Sequence, residues 1–259
     1  MKIVVLDIET SPLESYTWGL LDQNIGLDMI KTEWSILSFA AKWADKPGVL
    51  YADTGGRGAA TVRDDKVLME PLWNILDGAD IVVSQNGISF DMKKINTRLA
   101  IHGFGPYSPV RHVDTLRVSR KHFGNTSNKL AWLSKHMVPN TVKSTHKKFP
   151  GFELWRQCLL DNPAAWAEMK KYNIQDVMAT EALWLKLRPW IVGHPDMSAP
   201  NASGAVCPKC SSTKLHSKGF IVTRTGKYQQ RQCQACGGWS RSNENLRDSN
   251  QRKSLQVSV

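Results

Sequence analysis

Near the start of the chain stands KIVVLDIET, residues 2–10. Its apolar, β-branched first half predicts a buried strand that stops at the acids. Alternate residues of a strand point to the same side of a sheet, so Asp7 and Glu9 are expected to project together. Two neighbouring carboxylates repel each other, and burial makes the repulsion worse. Binding of Mg²⁺ or Mn²⁺, which take oxygen ligands, would remove this conflict; the alternative is that both acids face solvent.

A second acidic segment, NGISFD at residues 86–91, follows a short buried strand predicted over residues 81–83. Gly87 permits a tight turn before Asp91. Taken alone, Asp91 is more typical of an N-cap for the helix predicted over residues 92–101 than of a metal ligand.

A third segment, YNIQD at residues 172–176, lies in the longest predicted helix, residues 163–187, which is expected to break or bend near Tyr172. Tyr172 and Asp176 are four residues apart, so they share one face of a helix. Taken alone, the segment is equally typical of a helix with a half-buried tyrosine.

Together the three segments resemble the motifs of the DEDD superfamily of RNase H-like (DnaQ-like) 3′–5′ exonucleases: D-x-E, N-x-x-x-F-D and Y-x-x-x-D. With a tyrosine at the start of the third motif, the chain resembles the DEDDy branch of this superfamily, which includes the proofreading domains of replicative DNA polymerases. The histidine branch would need a His where this chain has Lys171. The flanking sequence also resembles phage-encoded exonucleases that carry a C-terminal zinc ribbon, so the resemblance covers nearly the whole chain.

The fold class is predicted from the order of the elements as well as from the resemblance. Strands predicted over residues 36–43 and 48–51 follow the first strand, and strands then alternate with helices. This order predicts an α/β protein with a mixed sheet and packed helices. The resemblance implies the same RNase H-like mixed sheet with flanking helices, plus a small C-terminal zinc ribbon.

The resemblance implies phosphodiester hydrolysis with two Mg²⁺ or Mn²⁺ ions about 3.5–4 Å apart. Asp7 would bridge both ions, Glu9 and Asp176 would bind the ion beside the attacking water, and Asp91 would bind the other. Tyr172 would hydrogen-bond to the water and orient it. It would not remove the proton of the water, because a phenol with a pKa of ~10 is a poor general base.

Three further residues are candidates for the site, and two of them have a second interpretation. Asn86 and Phe90 resemble family positions that contact the terminal nucleotides, although Phe90 fits a core position equally well. Asp114 is either an additional acid near the site or, more in keeping with its position, the cap of a helix over residues 115–122.

The cysteines indicate a second metal centre. Two C-x-x-C pairs, Cys207/Cys210 and Cys233/Cys236, are separated by 22 residues, a pattern typical of a closed tetrahedral zinc site with a structural role. Strands are predicted over residues 219–223 and 228–232 between the pairs. The fifth cysteine, Cys158, has apolar neighbours and is predicted to be a buried small side chain.

The charge of the chain indicates a polyanionic partner. The formal net charge is +11, and it is concentrated in residues 110–149, with nine Lys/Arg and one acid, and residues 201–259, with ten Lys/Arg and two acids. A protein that binds nucleic acid next to a metal site requires such basic regions beside an acidic remainder. Solvated surface lysines are the alternative for either region alone.

The predicted organisation is an exonuclease domain over residues 1–192, a linker over 193–204, a zinc ribbon over 205–241 and a disordered tail over 242–259. No apolar run approaches the ~20 residues of a membrane helix, and the apolar run at residues 3–6 is too short for a secretory signal. A cytoplasmic protein is therefore expected, within the host cell if the gene is carried by a phage.

The sequence therefore predicts a metal-dependent 3′–5′ exonuclease that acts on nucleic acid, with single-stranded DNA 3′ ends the expected substrate and replication proteins as candidate partners. Two alternatives stay open on the same fold. One is a nucleic-acid or replisome adaptor without activity, and the other is a structure-specific endonuclease.

Overall fold

A five-stranded sheet organises the first part of the chain in a computed structural model, which describes residues 1–56, 59–141, 148–198 and 204–256. The chain divides into two compact units, Lys2–Leu185 and a second unit of Met1 with Lys186–Val259. The first unit contains the strands β1 (Ile3–Thr10), β2 (Glu14–Ser15), β3 (Ile30–Thr32), β4 (Ile36–Trp43), β5 (Leu50–Asp53), β6 (Ile81–Ser84) and β7 (Arg111–Asp114). Its helices are α1 (Lys66–Asp77), α2 (Asp91–Ile101), α3 (Thr115–His122), α4 (Leu130–Met137), α5 (Glu153–Leu159) and α6 (Pro163–Leu187), the last ending in the second unit.

The sheet has the strand order β5-β4-β1-β6-β7. β4 pairs antiparallel with β1 and β5, whereas β6 pairs parallel with β1 and β7. A short turn, residues 44–49, joins the antiparallel strands β4 and β5, whereas the parallel half needs the helical crossovers α1 and α2. This mixed sheet confirms the predicted fold class.

The sheet is covered on both faces. One face packs against α1 and α2 through a core that includes Leu6, Phe39 and Leu72. The other packs against α5 and α6, where Cys158 is fully buried as predicted, beside Leu154 and Met169. Burial on both faces explains why β1, β4 and β6 are almost continuously apolar.

The long helix α6 runs unbroken from Pro163 to Leu187, so the predicted break near Tyr172 is wrong. No glycine interrupts it, and its one proline is the first residue, where a proline suits a helix. An ion pair between Lys42 of β4 and Glu181 of α6, with Nζ and Oε1 2.6 Å apart, joins this helix to the sheet. Lys42 is 7% exposed, so the pair is shielded from solvent.

The second unit contains a smaller sheet in the order β10-β9-β8, built from β8 (Leu215–Val222), β9 (Lys227–Cys233) and β10 (Trp239–Arg241). The pairing of β8 with β9 confirms the predicted hairpin and extends it towards the cysteines. Among the described residues, no helix has both the length and the apolar character needed to cross a membrane.

The last part of the chain, residues 242–259, was predicted to be a disordered tail, and this stays a prediction. A short helix, α7 (Ser249–Lys253), begins with a capping box in which Asp248 accepts from the Gln251 amide and the Gln251 side chain accepts from the Asp248 amide. This reciprocal cap satisfies two amides that a fraying end would leave open. The division at the predicted linker stays a prediction, since residues 199–203 lie outside the described residues.

Candidate active site and metal centres

Three carboxylates converge at the end of β1. Asp7 and Glu9 project to one side because they are two residues apart on a strand. Asp176 reaches the same place from α6, and one carboxylate oxygen of each acid lies within 4.8 Å of the others. Carboxylate oxygens at this spacing suit a hard divalent cation such as Mg²⁺ or Mn²⁺, which would offset their mutual repulsion.

A buried amide holds the first of these acids. Asn173 Nδ2 donates to Asp7 Oδ2 at 2.6 Å, and Asn173 Oδ1 accepts from Ser38 Oγ at 3.1 Å. Asn173 and Ser38 are fully buried, so their hydrogen bonds fix the amide orientation and with it the Asp7 carboxylate. Neither residue is among those predicted from the sequence. The only local signal is a polar residue directly after Tyr172 on the buried side of α6.

The second acid is held by a tryptophan that packs against the tyrosine. Trp155 of α5 donates from Nε1 to Glu9 Oε2 at 3.2 Å. The Trp155 ring also meets the Tyr172 ring edge to face, with centroids 5.8 Å apart. The Tyr172 hydroxyl is hydrogen-bonded to Asp176. The indole therefore connects Glu9 with the tyrosine, and it too is a site residue that the sequence did not predict.

The tyrosine hydroxyl keeps its proton. Burial, followed by the negative charges of Asp176, Glu9 and Asp7, raises the pKa of Tyr172 well above its ordinary value. The hydroxyl is therefore a hydrogen-bond donor among the carboxylates.

Asp91 lies outside the group of three but is held beside it. Its Oδ1 accepts from the backbone amide of Ile8, the residue between the two acids of β1, at 3.1 Å. Asp91 is 3% exposed and is the first residue of α2, whose N-cap is Phe90, so the capping interpretation of Asp91 is wrong. Burial raises the pKa of Asp91 to about 7 despite the lowering effect of the Ile8 amide.

The turn before Asp91 has room only for glycine. A Cβ on Gly87 would lie 2.0 Å from Ser84 Oγ and 3.5 Å from Asp91 Oδ2. Asn86 has a φ of +67°, a conformation that asparagine tolerates better than most residues. The close approach of Gly87 allows the chain to reverse between β6 and α2 and directs Asp91 towards β1.

Asp114 stabilises this turn from β7. Its carboxylate accepts from the amides of Asn86 at 3.0 Å and Ile88 at 3.3 Å. It also accepts from Leu116 and Arg117, which confirms the predicted cap of α3. The charge of Asp114 acts on Asp91 as well, so the acid is both a cap and a neighbour of the site.

The two residues predicted to contact substrate border the same turn. Asn86 is half-buried, and its backbone is fixed by Asp114. Phe90 is 38% exposed, and Lys94 Nζ lies 5.4 Å from its ring centroid. Phe90 is thus a partly exposed ring beside the acids rather than a buried core residue.

The four paired cysteines form one cluster in the second unit. Their sulfurs lie within 4.8 Å of one another, with Cys207–Cys236 at 3.8 Å and Cys210–Cys233 at 3.6 Å. A tetrahedron with Zn–S bonds of about 2.3 Å has sulfur–sulfur edges of about 3.8 Å, so the donor set fits zinc.

Both C-x-x-C turns close in the same way. The residues that follow them, Ser211 and Gly237, have φ of +59° and +77°. Their amides donate to the carbonyls of Cys207 and Cys233 at 2.8 and 2.9 Å. These matched turns beside a three-stranded sheet are consistent with the predicted zinc ribbon.

Comparison with protein families agrees with the geometry. A model of the RNase_H superfamily matches residues 54–188, just over half of the chain. The chain therefore belongs to the RNase H superfamily, which indicates a nuclease that binds nucleic acid and, like such nucleases generally, uses divalent metal ions. The matched segment contains Asp91, Tyr172 and Asp176, whereas Asp7 and Glu9 precede it. A comparison with curated proteins found no match.

Proposed function

We propose that this protein is a 3′–5′ exonuclease of the DEDDy type that hydrolyses phosphodiester bonds at DNA 3′ ends. The observation that carries the proposal is the convergence of Asp7, Glu9 and Asp176 within 4.8 Å, with a tyrosine hydroxyl bonded to the third acid. Acids are a general feature of RNase H-like sites. The tyrosine four residues before the last acid is the feature that resembles the DEDDy branch.

Asp7, Glu9, Asp91 and Asp176 would hold two Mg²⁺ or Mn²⁺ ions. When bound, such ions lower the pKa of a water and neutralise charge on the phosphate and the leaving oxygen. Hydrogen bonds orient two of these acids. Asn173 Nδ2 donates to Asp7 Oδ2 at 2.6 Å, and the Ile8 amide donates to Asp91 Oδ1 at 3.1 Å. Ligands whose orientation is set by such partners need little rearrangement on binding.

The tyrosine would position the attacking water. Its hydroxyl carries a proton and lies among Asp176, Glu9 and Asp7, and its ring is restrained by Trp155. Because its one proton is donated to the Asp176 carboxylate, the hydroxyl oxygen can accept a hydrogen bond from a water and orient it without removing its proton. Orientation of the nucleophile lowers the entropic part of the barrier.

A basic surface beside the turn supports a nucleic-acid substrate. α3 carries Arg117, Arg120 and Lys121, and the Arg117 side chain is 60% exposed. Arg117 Nη2 lies 3.4 Å from Ser89 Oγ, in the turn that leads to Asp91. A cation beside this turn would hold a phosphate of the substrate next to the site.

The zinc ribbon would add a second nucleic-acid contact. Cationic side chains lie over aromatic rings in two places, Lys227 over Phe220 at 4.3 Å and Arg241 over Tyr228 at 3.9 Å. Trp239 is 45% exposed nearby on β10. Aromatic rings beside cations suit a single strand, whose bases stack while its phosphates bind the cations.

A labelled-strand assay tests the function. A 5′-labelled DNA strand with Mg²⁺ should shorten stepwise, and Asp7→Ala or Asp91→Ala should abolish the reaction while circular dichroism shows an unchanged fold. The matched control is Asp45→Ala, which removes an exposed acid from the turn after β4. One internal cut would instead indicate an endonuclease, and no cleavage of DNA or RNA would indicate an adaptor.

Chelation needs its own control, because EDTA can remove zinc as well as magnesium. Activity lost in EDTA should return on addition of Mg²⁺ or Mn²⁺ alone. Undiminished turnover in EDTA, or full activity of Asp7→Ala, would refute the metal-dependent mechanism.

A further inference from the structure

Two cationic side chains lie one turn apart on α2 and approach the same tryptophan. Lys94 Nζ lies 3.6 Å from the centroid of the Trp34 ring, and Arg98 Cζ lies 5.9 Å from it. Residues four apart share a face of a helix, so both cations project from one side of α2. Their surroundings differ, and the difference separates a structural cation from one that can bind a ligand.

The charge of Arg98 is neutralised inside the protein. Its Nε and Nη2 donate to the two carboxylate oxygens of Asp65 at 2.6 and 2.7 Å. Asp65 is fully buried at the start of α1. Such a pair of parallel hydrogen bonds is the strongest that a guanidinium forms with a carboxylate. Arg98 therefore joins the two helices and has a structural role.

Lys94 has no comparable partner. Among the described residues, no carboxylate forms an ion pair with its ammonium. The charge of Glu33 acts on the ammonium, but partial burial outweighs this charge and lowers the pKa of Lys94. An anion that binds Lys94 would replace the hydration lost on burial, so the ammonium is suited to a negatively charged ligand.

Aromatic rings restrain the Lys94 side chain. The Phe90 ring centroid lies 5.4 Å from Nζ, on the chain segment that leads to Asp91. Trp34, the nearer ring, packs against the main core, so its position is fixed. A ring attracts a cation through its quadrupole and leaves the charge unneutralised. The two rings therefore hold the ammonium in place for a ligand.

The restrained ammonium lies at the edge of the sheet that carries the acids. Lys94 follows Asp91 by three residues, so the two share a face of α2. Trp34 reaches the same edge through its neighbour Ser35, whose carbonyl accepts from the amide of Ser11 at 2.8 Å, directly after the end of β1. A nucleic-acid strand bound to the acids would therefore pass close to Lys94.

We propose that Lys94, restrained by Trp34 and Phe90, binds a phosphate of the substrate strand upstream of the scissile bond. The inference rests on the proposed exonuclease function. The candidate active site would hold the scissile phosphate at the 3′ end, so the other phosphates of the strand lie on its 5′ side. A lysine ammonium binds a phosphate as a point charge. One fixed upstream phosphate sets how far the strand enters the site and thus which bond reaches the acids.

Strands with one neutral linkage test the phosphate site. A methylphosphonate replaces a single charged phosphate at each linkage near the 3′ end in turn. Fluorescence anisotropy measures binding in an Asp7→Ala background, in which the strand should stay intact. At one upstream linkage the neutral group should weaken binding by about tenfold, the loss expected for one hydrogen bond to a charged group. Lys94→Met should weaken binding of the normal strand by the same factor and should remove the sensitivity to that linkage.

The matched control is Lys93→Met, which removes the exposed neighbouring cation of α2 and should keep the sensitivity. Lys94→Met should also lower the salt slope of binding by about 0.7, a change that lost packing alone would not produce. Trp34→Leu removes the nearer ring, so its effect and that of Lys94→Met should be less than additive. The phosphate site is refuted if no linkage effect depends on Lys94, or if Lys93→Met removes the same sensitivity.

Hydrolysis of the same strands by the otherwise intact protein separates this inference from the proposed function. With Mg²⁺, Lys94→Met should raise KM by about tenfold and change kcat less, and Lys94→Arg, which keeps the charge, should restore most of the loss. If the protein cleaves no strand but one linkage effect depends on Lys94, the exonuclease proposal fails and the phosphate site stands. Cleavage from the 3′ end without any such linkage would overturn the phosphate site alone.

Discussion

Replacing Asn173 by leucine tests how much the buried amide contributes to the candidate active site. Leucine has a similar size and keeps the helix, but it removes the 2.6 Å bond to Asp7 Oδ2 and the 3.1 Å bond from Ser38 Oγ. The Asp7 carboxylate loses a donor, and the hydroxyl of Ser38 loses its acceptor in a fully buried place.

The size of the effect follows from the two bonds. A hydrogen bond to a charged group contributes about 1.5–3 kcal/mol and a neutral one about 1 kcal/mol. We therefore expect Asn173→Leu to lower the free energy of unfolding by about 2.5–4 kcal/mol, or Tm by about 8–12 °C. The loss of orientation at a metal-binding acid should lower kcat or the affinity for Mg²⁺ by about 10–100-fold.

The assay combines thermal unfolding with hydrolysis of a labelled single strand over a range of Mg²⁺ concentrations. Thr54→Val is the matched control: Thr54 is 1% exposed, and its hydroxyl donates to the Val62 carbonyl at 2.7 Å rather than to one of the acids. It should cost about 1 kcal/mol of stability with no change in kcat. If Asn173→Leu hydrolyses DNA at the normal rate with normal Mg²⁺ dependence, the amide does not position Asp7.

Three further predictions concern the tyrosine, the indole and the ribbon. Tyr172→Phe should lower kcat more than substrate binding, and a 3′-labelled strand should release its label at once; an unchanged kcat would show that the hydroxyl does not orient the water. Trp155→Phe keeps a ring but loses the donor to the second acid, so half-maximal activity should need about tenfold more Mg²⁺; an unaltered Mg²⁺ requirement would exclude this role. The protein should hold one zinc ion that a Cys207→Ser/Cys233→Ser variant loses. Removal of residues 201–259 should raise KM and flatten the salt dependence of binding, by about 0.7 in slope for each lost single-strand contact; an equal slope would indicate that the ribbon binds a protein instead.

The sheet could be predicted because its strands carry their own signals. β1, β4 and β6 are apolar runs that end in acids, serine or a turn, and their order along the chain defines a mixed sheet. The break expected in α6 was wrong because the side chain of Asn173 bonds to Asp7 and Ser38 rather than to its own backbone, so the polar segment does not interrupt the helix.

The acids could be predicted, but most of what holds them could not. Asn173 and Trp155 contact acids 166 and 146 residues away in the sequence, and no local pattern encodes such contacts. Asp91 was ambiguous for the same reason: whether it caps α2 or faces the site is decided by the amide of Ile8, 83 residues earlier. Only the resemblance of the three motifs, considered together, to those of the DEDD exonucleases indicated that these segments meet.

The position of the third acid has a consequence during protein synthesis. Asp7 and Glu9 emerge from the ribosome first, but the group is complete only when α6 supplies Asp176 and docks against β4 through Glu181. Because domains fold in the order in which they are made, a nascent chain that stops short of α6 has two acids and no cluster. On the proposed function, a chain that stops short of α6 would lack the third metal ligand and could not hydrolyse nucleic acid.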